Sequence, residues 1–387
     1  MKIAYCIGSL EKAGGTEKVL SSKVNYFVAN LGFEIHIIIN NQGGKPIYYE
    51  FSENIIFHDM GSNQFVPKLK IKGVSFWFMI KKLRKVYERI FLDIKPDVII
   101  VCERGFDDYV IPYICKSIPK VREFHFAKGA VKSYSKIINP LIDSLIYRLR
   151  YFSLFHQFNK YDRLVLLTQK DQLEGKYKTK TIVIPNMIDF EKVENKANLD
   201  SKNVISVGSM YDDRKQFGKQ IKIWEQIVKK HPDWTLHIYG EGAKRPFYQE
   251  LINSLNLNEH IILHGNSNNM SENYLAASFF IFTSLAEGLP MVLLEAQMYG
   301  LPCISFDCST GPSDIIEDGV NGYLIKENDI YSFIDKTNKL IEDSQLRILM
   351  GKSAIESSKK FFPPVIANKW ISFFNEITEN KKYDQAH

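Results

Sequence analysis

Five cysteines (Cys6, Cys102, Cys115, Cys303 and Cys308) are scattered over 387 residues, with no CxxC and no Cys/His cluster. That spacing argues against a zinc module, and the odd number argues against a disulfide framework. A reducing cytoplasm is the expected compartment. No uncharged apolar run approaches the roughly 18 residues that a membrane-spanning helix needs. The opening "MKIAYCIGSLEKAGG" lacks the apolar core and cleavage site of a signal peptide, and "KIAYCIGS" reads as a first buried strand. A P-loop, a G-x-S-x-G elbow and an H-E-x-x-H helix are also missing, so three common phosphate and hydrolase chemistries have no anchor. There is no tandem repeat and no low-complexity tract.

What is present is the composition of a soluble globular protein, 45% apolar and 24% charged, long enough for two domains. The net charge of +6 is unevenly spread: residues 1–200 carry 31 Lys+Arg against 21 Asp+Glu, the remainder 19 against 23. The excess peaks at residues 66–95, "VPKLKIKGVSFWFMIKKLRKVYERIFLDIK", with nine basic residues, two acids and five aromatics. Two readings stand at this point. Basic residues interleaved with aromatics suit an anionic membrane surface; equally, "MIKKLRKVYERI" has the periodicity of a solvated helix over a core. Nucleic acid is not expected as a partner, since no binding motif accompanies the charge.

Apolar runs alternate with helical patterns in both halves. "KIAYCIG", "EIHIII", "DVIIVC" and "RLVLLT" predict buried strands in the first, and "NVISVGSM", "TLHIYGEG", "HIILHG", "SFFIFTS" and "PCISFD" in the second. This is the signature of parallel sheets covered by helices. "TIVIPNMIDFEKV" (181–193) marks a junction. The expected organisation is an α/β chain with doubly wound domains at 1–185 and 186–365, and a C-terminal helix at 366–387 that could pack back on either half. Two such domains would face each other across a cleft at the carboxyl ends of their strands.

The chemistry concentrates in "AEGLPMVLLEAQMYGLP", Ala286 to Pro302. Pro290 suits the first position of a helix and Gly300 a stop, so the amides of Met291 and Val292 would face an anion. Glu287 lies in the loop before that helix, and Glu295 lies a turn inside it, where a carboxylate can accept from vicinal hydroxyls. Acids beside an anion site fit a sugar nucleotide, which offers phosphates and hydroxyls together. A surface helix with an ordinary polar residue and a loop acid would give the same spacing, and both readings stand on the spacing alone.

"AEGLPMVLLEAQMYGLPCISFDCSTGPSDIIEDGVNGYLI" is similar to the signature of family 4 retaining glycosyltransferases, whose E-x7-E pair sits in an "EG-x-P-x-x-x-x-E-A…G-x-P" frame. The similarity covers most of the second half and implies the GT-B fold, with two Rossmann-like domains around a central cleft. Gly14 and Gly15 in "GSLEKAGGTEKVL" resemble the family's glycine loop. Carried over, the pattern implies that Glu295 holds the nucleotide ribose. Glu287 would contact the transferred sugar, with Gly288, Leu289, Pro290, Met291 and Val292 around it. In "VGSMYDDRKQF", Lys215 matches the lysine that neutralises the diphosphate. His125 in "REFHFAKG" resembles a first-domain histidine near the sugar. Ser209 stands where the family has an arginine, so Arg214 or another cation would substitute, or leaving-group stabilisation is weaker.

The chain has no D-x-D, and "FDD" at 106–108 and "YDD" at 211–213 read as turn or cap residues. No obligatory metal or other cofactor is expected. The resemblance implies transfer from a nucleotide sugar, uridine-linked, to a glycan acceptor on a lipid carrier. Capsule, O-antigen and similar polysaccharides are the acceptors expected, at the cytoplasmic face of the plasma membrane. The alternatives are a catalytically silent sugar-nucleotide-binding subunit, a sugar-nucleotide 2-epimerase of the same fold, and a peripheral membrane scaffold.

Overall fold

The computed structural model describes residues 1–12, 14–62, 74–103, 105–126, 153, 155–188 and 195–386. Residues 66–73 of the basic stretch and 189–193 of the junction lie outside them. Two compact units divide the chain. The first holds Met1–His125 and Tyr134–Met187 and resumes at Pro363–His387; Ile188–Phe362 makes up most of the second.

In chain order the first unit contains β1 (Lys2–Ile7), α1 (Gly15–Leu31), β2 (Glu34–Ile39), β3 (Ile56–Asp59), α2 (Val74–Ile94), β4 (Val98–Val101), β5 (Lys120–Phe124), β6 (Arg163–Leu166), α3 (Gln169–Gly175) and β7 (Thr181–Val183). Among the described residues these strands form one parallel sheet in the order β3-β2-β1-β4-β5-β6-β7. Buried on both faces, β1, β2 and β4 need apolar side chains at nearly every position, which is why they read as continuous runs. α1 stops at Gly32, whose φ of 63° is a left-handed value that glycine adopts without a Cβ penalty.

β5 was not expected as a strand, because "KVREF" carries three charges. The structure buries all five residues; Lys120 Nζ donates to the Cys115 and Ile118 carbonyls, and the other two charges are paired internally. Arg122 donates to Asp108 Oδ1 at 2.8 Å, and Lys23 reaches both Glu123 oxygens at 2.5 Å. Asp107 and Asp108 are correspondingly more than turn residues. Asp107 accepts from Tyr87 and Asn40, and Tyr161 joins Arg122 at Asp108. Burial raises the Asp107 carboxyl to about 6, against the pull of those hydrogen bonds.

The second unit runs β8 (Asn203–Val207), α4 (Phe217–Val228), β9 (Thr235–Tyr239), α5 (Arg245–Ser254), β10 (Ile261–Gly265), α6 (Met270–Leu275), β11 (Phe279–Phe282), α7 (Met291–Met298), β12 (Cys303–Asp307), α8 (Pro312–Ile315), β13 (Gly322–Lys326), α9 (Ile330–Glu342) and α10 (Ser344–Ser358). Its parallel sheet has the order β10-β9-β8-β11-β12-β13, so the direction of winding reverses between β8 and β11. Loops at the carboxyl ends of those two strands flank the position where open α/β sheets take their ligands.

The last helix, α11 (Pro363–Ala386), returns to the first unit. Ile366, Trp370, Phe373, Phe374 and Ile377 are buried in one cluster with Ile3, Tyr5, Phe27, Ile37 and Ile100. Among the described residues no helix is long and apolar enough to cross a membrane.

Candidate active site

The loop after β8 and the loop after β11 are bound to each other. Leu285 N donates to the Arg214 carbonyl at 2.8 Å, and Thr283 Oγ1 donates to the Lys215 carbonyl at 2.9 Å. This stitching fixes two side chains that are 72 positions apart. Lys215 Nζ lies 2.6 Å from Glu287 Oε1, and Ser284 Oγ donates to the same oxygen at 2.6 Å. Both charges are mostly buried, 14% and 12% exposed, and Lys215 also lies 5.1 Å over the Phe282 ring. Behind them Gly208 is packed on the Lys215 stem, where a Cβ would meet Cγ at 3.0 Å.

Glu287 is held by its backbone as well, since Thr310 Oγ1 donates to its carbonyl at 2.6 Å. Gly311, at φ 101°, then passes so close that a Cβ would lie 2.5 Å from Pro290 Cδ. α7 begins one residue later than the sequence implies. Pro290 is the N-cap, with extended backbone at ψ 95°, and Leu293 N donates to its carbonyl. The helix start has no side-chain cap, and half-buried Met291 and Val292 open it. Gly288 and Leu289 form the turn between Glu287 and the cap.

α7 is not a surface helix: Leu293, Leu294, Ala296, Gln297 and Met298 are all buried. An acid inside such a helix must be matched, and Tyr274 Oη on α6 donates to Glu295 Oε2 at 2.9 Å. Tyr274 is itself buried and stacked on Tyr299 at 5.3 Å. Burial, then the charge of Glu295, pushes its phenol well above the ordinary range, so it stays a donor.

The neighbouring loops complete the floor. Asp212 accepts from the Arg214 amide at 3.0 Å, a cap role as expected, while Asp213 takes Lys244 and, at 3.1 Å, Tyr248 Oη. Gly240 at φ 142° and Gly242 at φ 155° run against the loop after β8; a Cβ on Gly240 would fall 1.9 Å from the Gly208 carbonyl oxygen. Ser209 is exposed, and its hydroxyl accepts from the Tyr211 amide at 3.4 Å. Arg214 is half-buried, its Nε 3.8 Å from Asp212.

The remaining candidates belong to the first unit. Gly14 is the N-cap of α1, and Glu17 folds back over it, closely enough that a Cβ there would meet Glu17 Oε2 at 2.0 Å. Gly15 has open space around its Cα. His125 follows β5 at the carboxyl end of the sheet, with its side chain 6% exposed and Nε2 3.6 Å from Glu123 Oε1. Burial lowers it to about 4, so it is neutral near pH 7. Cys102, Glu123 and His125 bring potential metal-ligand atoms within 4.8 Å of one another. Lys23 already occupies both Glu123 oxygens, and its charge opposes a second cation there.

Three partners were not singled out in the sequence. Ser284 lies three residues before Glu287 and was legible in principle. Tyr274 and Thr310 have no local signal, because only the fold brings them to the two acids.

Residues 187–357 match the family described as Glycosyl transferases group 1. The chain is 26% identical over 373 residues to an uncharacterized glycosyltransferase of Haemophilus influenzae, covering 95% of this chain and 98% of that one. It is 26% identical over 387 residues to the Campylobacter jejuni N-acetylgalactosamine-N,N'-diacetylbacillosaminyl-diphospho-undecaprenol 4-alpha-N-acetylgalactosaminyltransferase, covering 95% and 97%. Among solved structures, a mutant of S. aureus TarM in complex with fondaparinux, alpha-GlcNAc-glycerol and UDP aligns with a TM-score of 0.77 at 16% identity, covering 97% of this chain and 99% of that one. Fold and matches together support a GT-B glycosyltransferase.

Proposed function

We propose that this chain is a retaining glycosyltransferase that moves a sugar from a uridine diphosphate sugar to a hydroxyl of a lipid-linked glycan, at a step of surface polysaccharide synthesis on the cytoplasmic side of the membrane. The observation that carries the proposal is the contact of Lys215 with Glu287 at the switch point of the second sheet, beside the uncapped start of α7. The Campylobacter relative, named for transfer onto a diphospho-undecaprenol glycan, supports the acceptor class, and the TarM complex with UDP supports the base.

In this reading the donor diphosphate displaces Glu287 from Lys215, whose ammonium then faces the phosphate oxygens, with Arg214 as second cation. Side chains, not an obligatory metal, supply the positive charge. The ribose hydroxyls meet Glu295, held in place by Tyr274, and Glu287 turns to the sugar hydroxyls. His125 and the Gly14–Gly15 loop keep the sugar and acceptor roles that the family pattern assigns to them. The acceptor hydroxyl attacks the anomeric carbon on the face from which the phosphate leaves. The C–O bond to phosphate breaks as the new glycosidic bond forms, and the acceptor proton passes to the departing phosphate oxygen. Lys215 lowers the barrier because charge grows on that oxygen in the transition state.

An NMR time course with a panel of uridine and guanosine diphosphate sugars tests this, using wild type and Glu287→Ala. Release of nucleoside diphosphate from one donor, lost in the variant, with an α-product from an α-donor, is the expected result. Binding without turnover, even with lipid-linked acceptors present, would overturn it in favour of a silent binding subunit.

A further inference from the structure

We propose that Glu123 is a positioning residue for His125. Its carboxylate accepts a hydrogen bond from Nε2–H of the ring, which leaves Nδ1 bare to accept from a hydroxyl of the substrate. The two residues are two positions apart at the end of β5, so their side chains leave toward the same face of the sheet. Nε2 lies 3.6 Å from Glu123 Oε1. Among the described residues neither ring nitrogen has a hydrogen-bond partner, although both are buried. A buried imidazole left in that state is costly until a partner arrives.

Glu123 has room for the ring on one side only. Among the described residues Oε2 accepts from Lys23 and from the Cys102 thiol at 3.6 Å, whereas Oε1, the oxygen nearer the ring, accepts from Lys23 alone. The neighbouring pair on the same strand has no such opening. Asp108 Oδ1 takes both Arg122 and Tyr161, and Arg122 also donates to the carbonyls of Val101 and Glu123. Burial pushes the Glu123 carboxyl up, but Lys23 outweighs it and holds the group below its ordinary value, so it acts only as an acceptor. Lys23 is kept in place by the rings of Tyr5 and Trp370, 5.1 and 4.8 Å away. Replacing such a buried ion pair with apolar side chains often costs no stability, so stability alone does not call for it. A neutral imidazole carries one N–H and one lone pair, and beside a carboxylate the proton sits on the nearer nitrogen. The 3.6 Å gap is wider than a hydrogen bond, and contacts of this kind often close only when substrate is bound. The placement of the ring proton is independent of the transferase reading. The substrate hydroxyl rests on that reading, through the role it gives His125.

The full chain is prepared with isotopically labelled histidine, and the ring of His125 is assigned by its loss in His125→Asn. Long-range proton–nitrogen spectra above neutral pH, recorded alone and with each uridine diphosphate sugar, should show bare Nδ1 and a downfield, slowly exchanging Nε2–H. The double variant Lys23→Met, Glu123→Leu removes both charges. It should melt near wild type, show a mixture of tautomers and lose the slowly exchanging proton. Its kcat/KM should fall roughly 10- to 150-fold, as for one hydrogen bond to a charged group. In a His125→Asn background the same two substitutions should cost nothing further, because Glu123 acts through the ring. A loss in the donor KM places the hydroxyl on the sugar nucleotide, and a loss in the acceptor KM places it on the glycan. Nδ1–H in wild type, which needs no variant to detect, would overturn the proposal. So would an unchanged ring spectrum or wild-type kcat/KM in the double variant, or an undiminished loss in the His125→Asn background. No turnover by wild type with any donor would remove the substrate hydroxyl together with the transferase reading, and the spectra would still decide where the ring proton sits.

Discussion

Lys215→Met separates two jobs that one ammonium performs. In the resting site it neutralises Glu287 at 2.6 Å, with both side chains mostly buried. In the proposed reaction it faces the leaving diphosphate. A hydrogen bond to a charged group contributes about 1.5–3 kcal/mol, so kcat/KM should fall roughly 10- to 150-fold. Stability should fall less steeply, because Ser284 still donates to the same Glu287 oxygen. A loss of about 1–2 kcal/mol corresponds to a Tm lower by roughly 2–8 °C for a unit of this size. The double variant with Glu287→Gln removes the stranded charge. It should recover most of the melting temperature and none of the activity, the signature of a coupled pair. Thermal melts and initial rates on the four proteins of the cycle decide the matter. Lys215→Met retaining more than about a third of wild-type kcat/KM would refute the assignment to the leaving group. Strictly additive melting losses would refute the pairing itself.

Tyr274→Phe removes a buried donor to Glu295 and should raise the donor KM roughly 3- to 12-fold, by about 0.7–1.5 kcal/mol, with kcat little changed; an unaltered KM would take Glu295 away from the ribose. Ser209→Arg returns a cation to an exposed position beside the site, and should raise turnover by roughly 10-fold or more for about 1.5 kcal/mol gained. If wild type and variant are both inert, the silent-subunit reading moves ahead. Asp107 supplies a pH signature. Its folded value of about 6 lies above the unfolded one, so its stability contribution is complete below about pH 4 and is lost as pH rises through 6. At most this is of order 3 kcal/mol. Asp107→Asn should therefore show a flatter dependence of unfolding free energy on pH across that window, and parallel curves would contradict the assignment.

The second half of the chain was the more legible in sequence. Its strands are short apolar runs between glycines, and Lys215, Glu287 and Glu295 sit in motifs read directly. What lay hidden had a physical reason in each case. β5 was missed because propensity and pattern price Lys120, Arg122 and Glu123 as solvated, whereas Asp108 and Lys23 make the burial of Arg122 and Glu123 tolerable. β3 and β13, at sheet edges, have mixed sequences that alternate too weakly to stand out. Tyr274 and Thr310 could not be found, since their purpose is defined by groups 21 and 23 positions away. The helix start at Pro290 was misplaced by one residue because φ −73° serves a cap as well as a first helical position, and only ψ distinguishes them.

The return of α11 to the first unit bears on how the polypeptide is made. Trp370, Phe373 and Phe374, with Ile366, Ala367 and Ile377 of the same helix, complete a core whose other members lie in the first half of the chain. On a ribosome the first sheet therefore emerges long before its cover, and the second unit, most of it the single run Ile188–Phe362, can close first. A chain cut at Phe362 would keep that second unit whole and leave Tyr5, Phe27 and Ile37 without the aromatic layer that shields them. Truncation from the C-terminus should thus expose dye-binding surface in the half of the molecule farthest away in sequence.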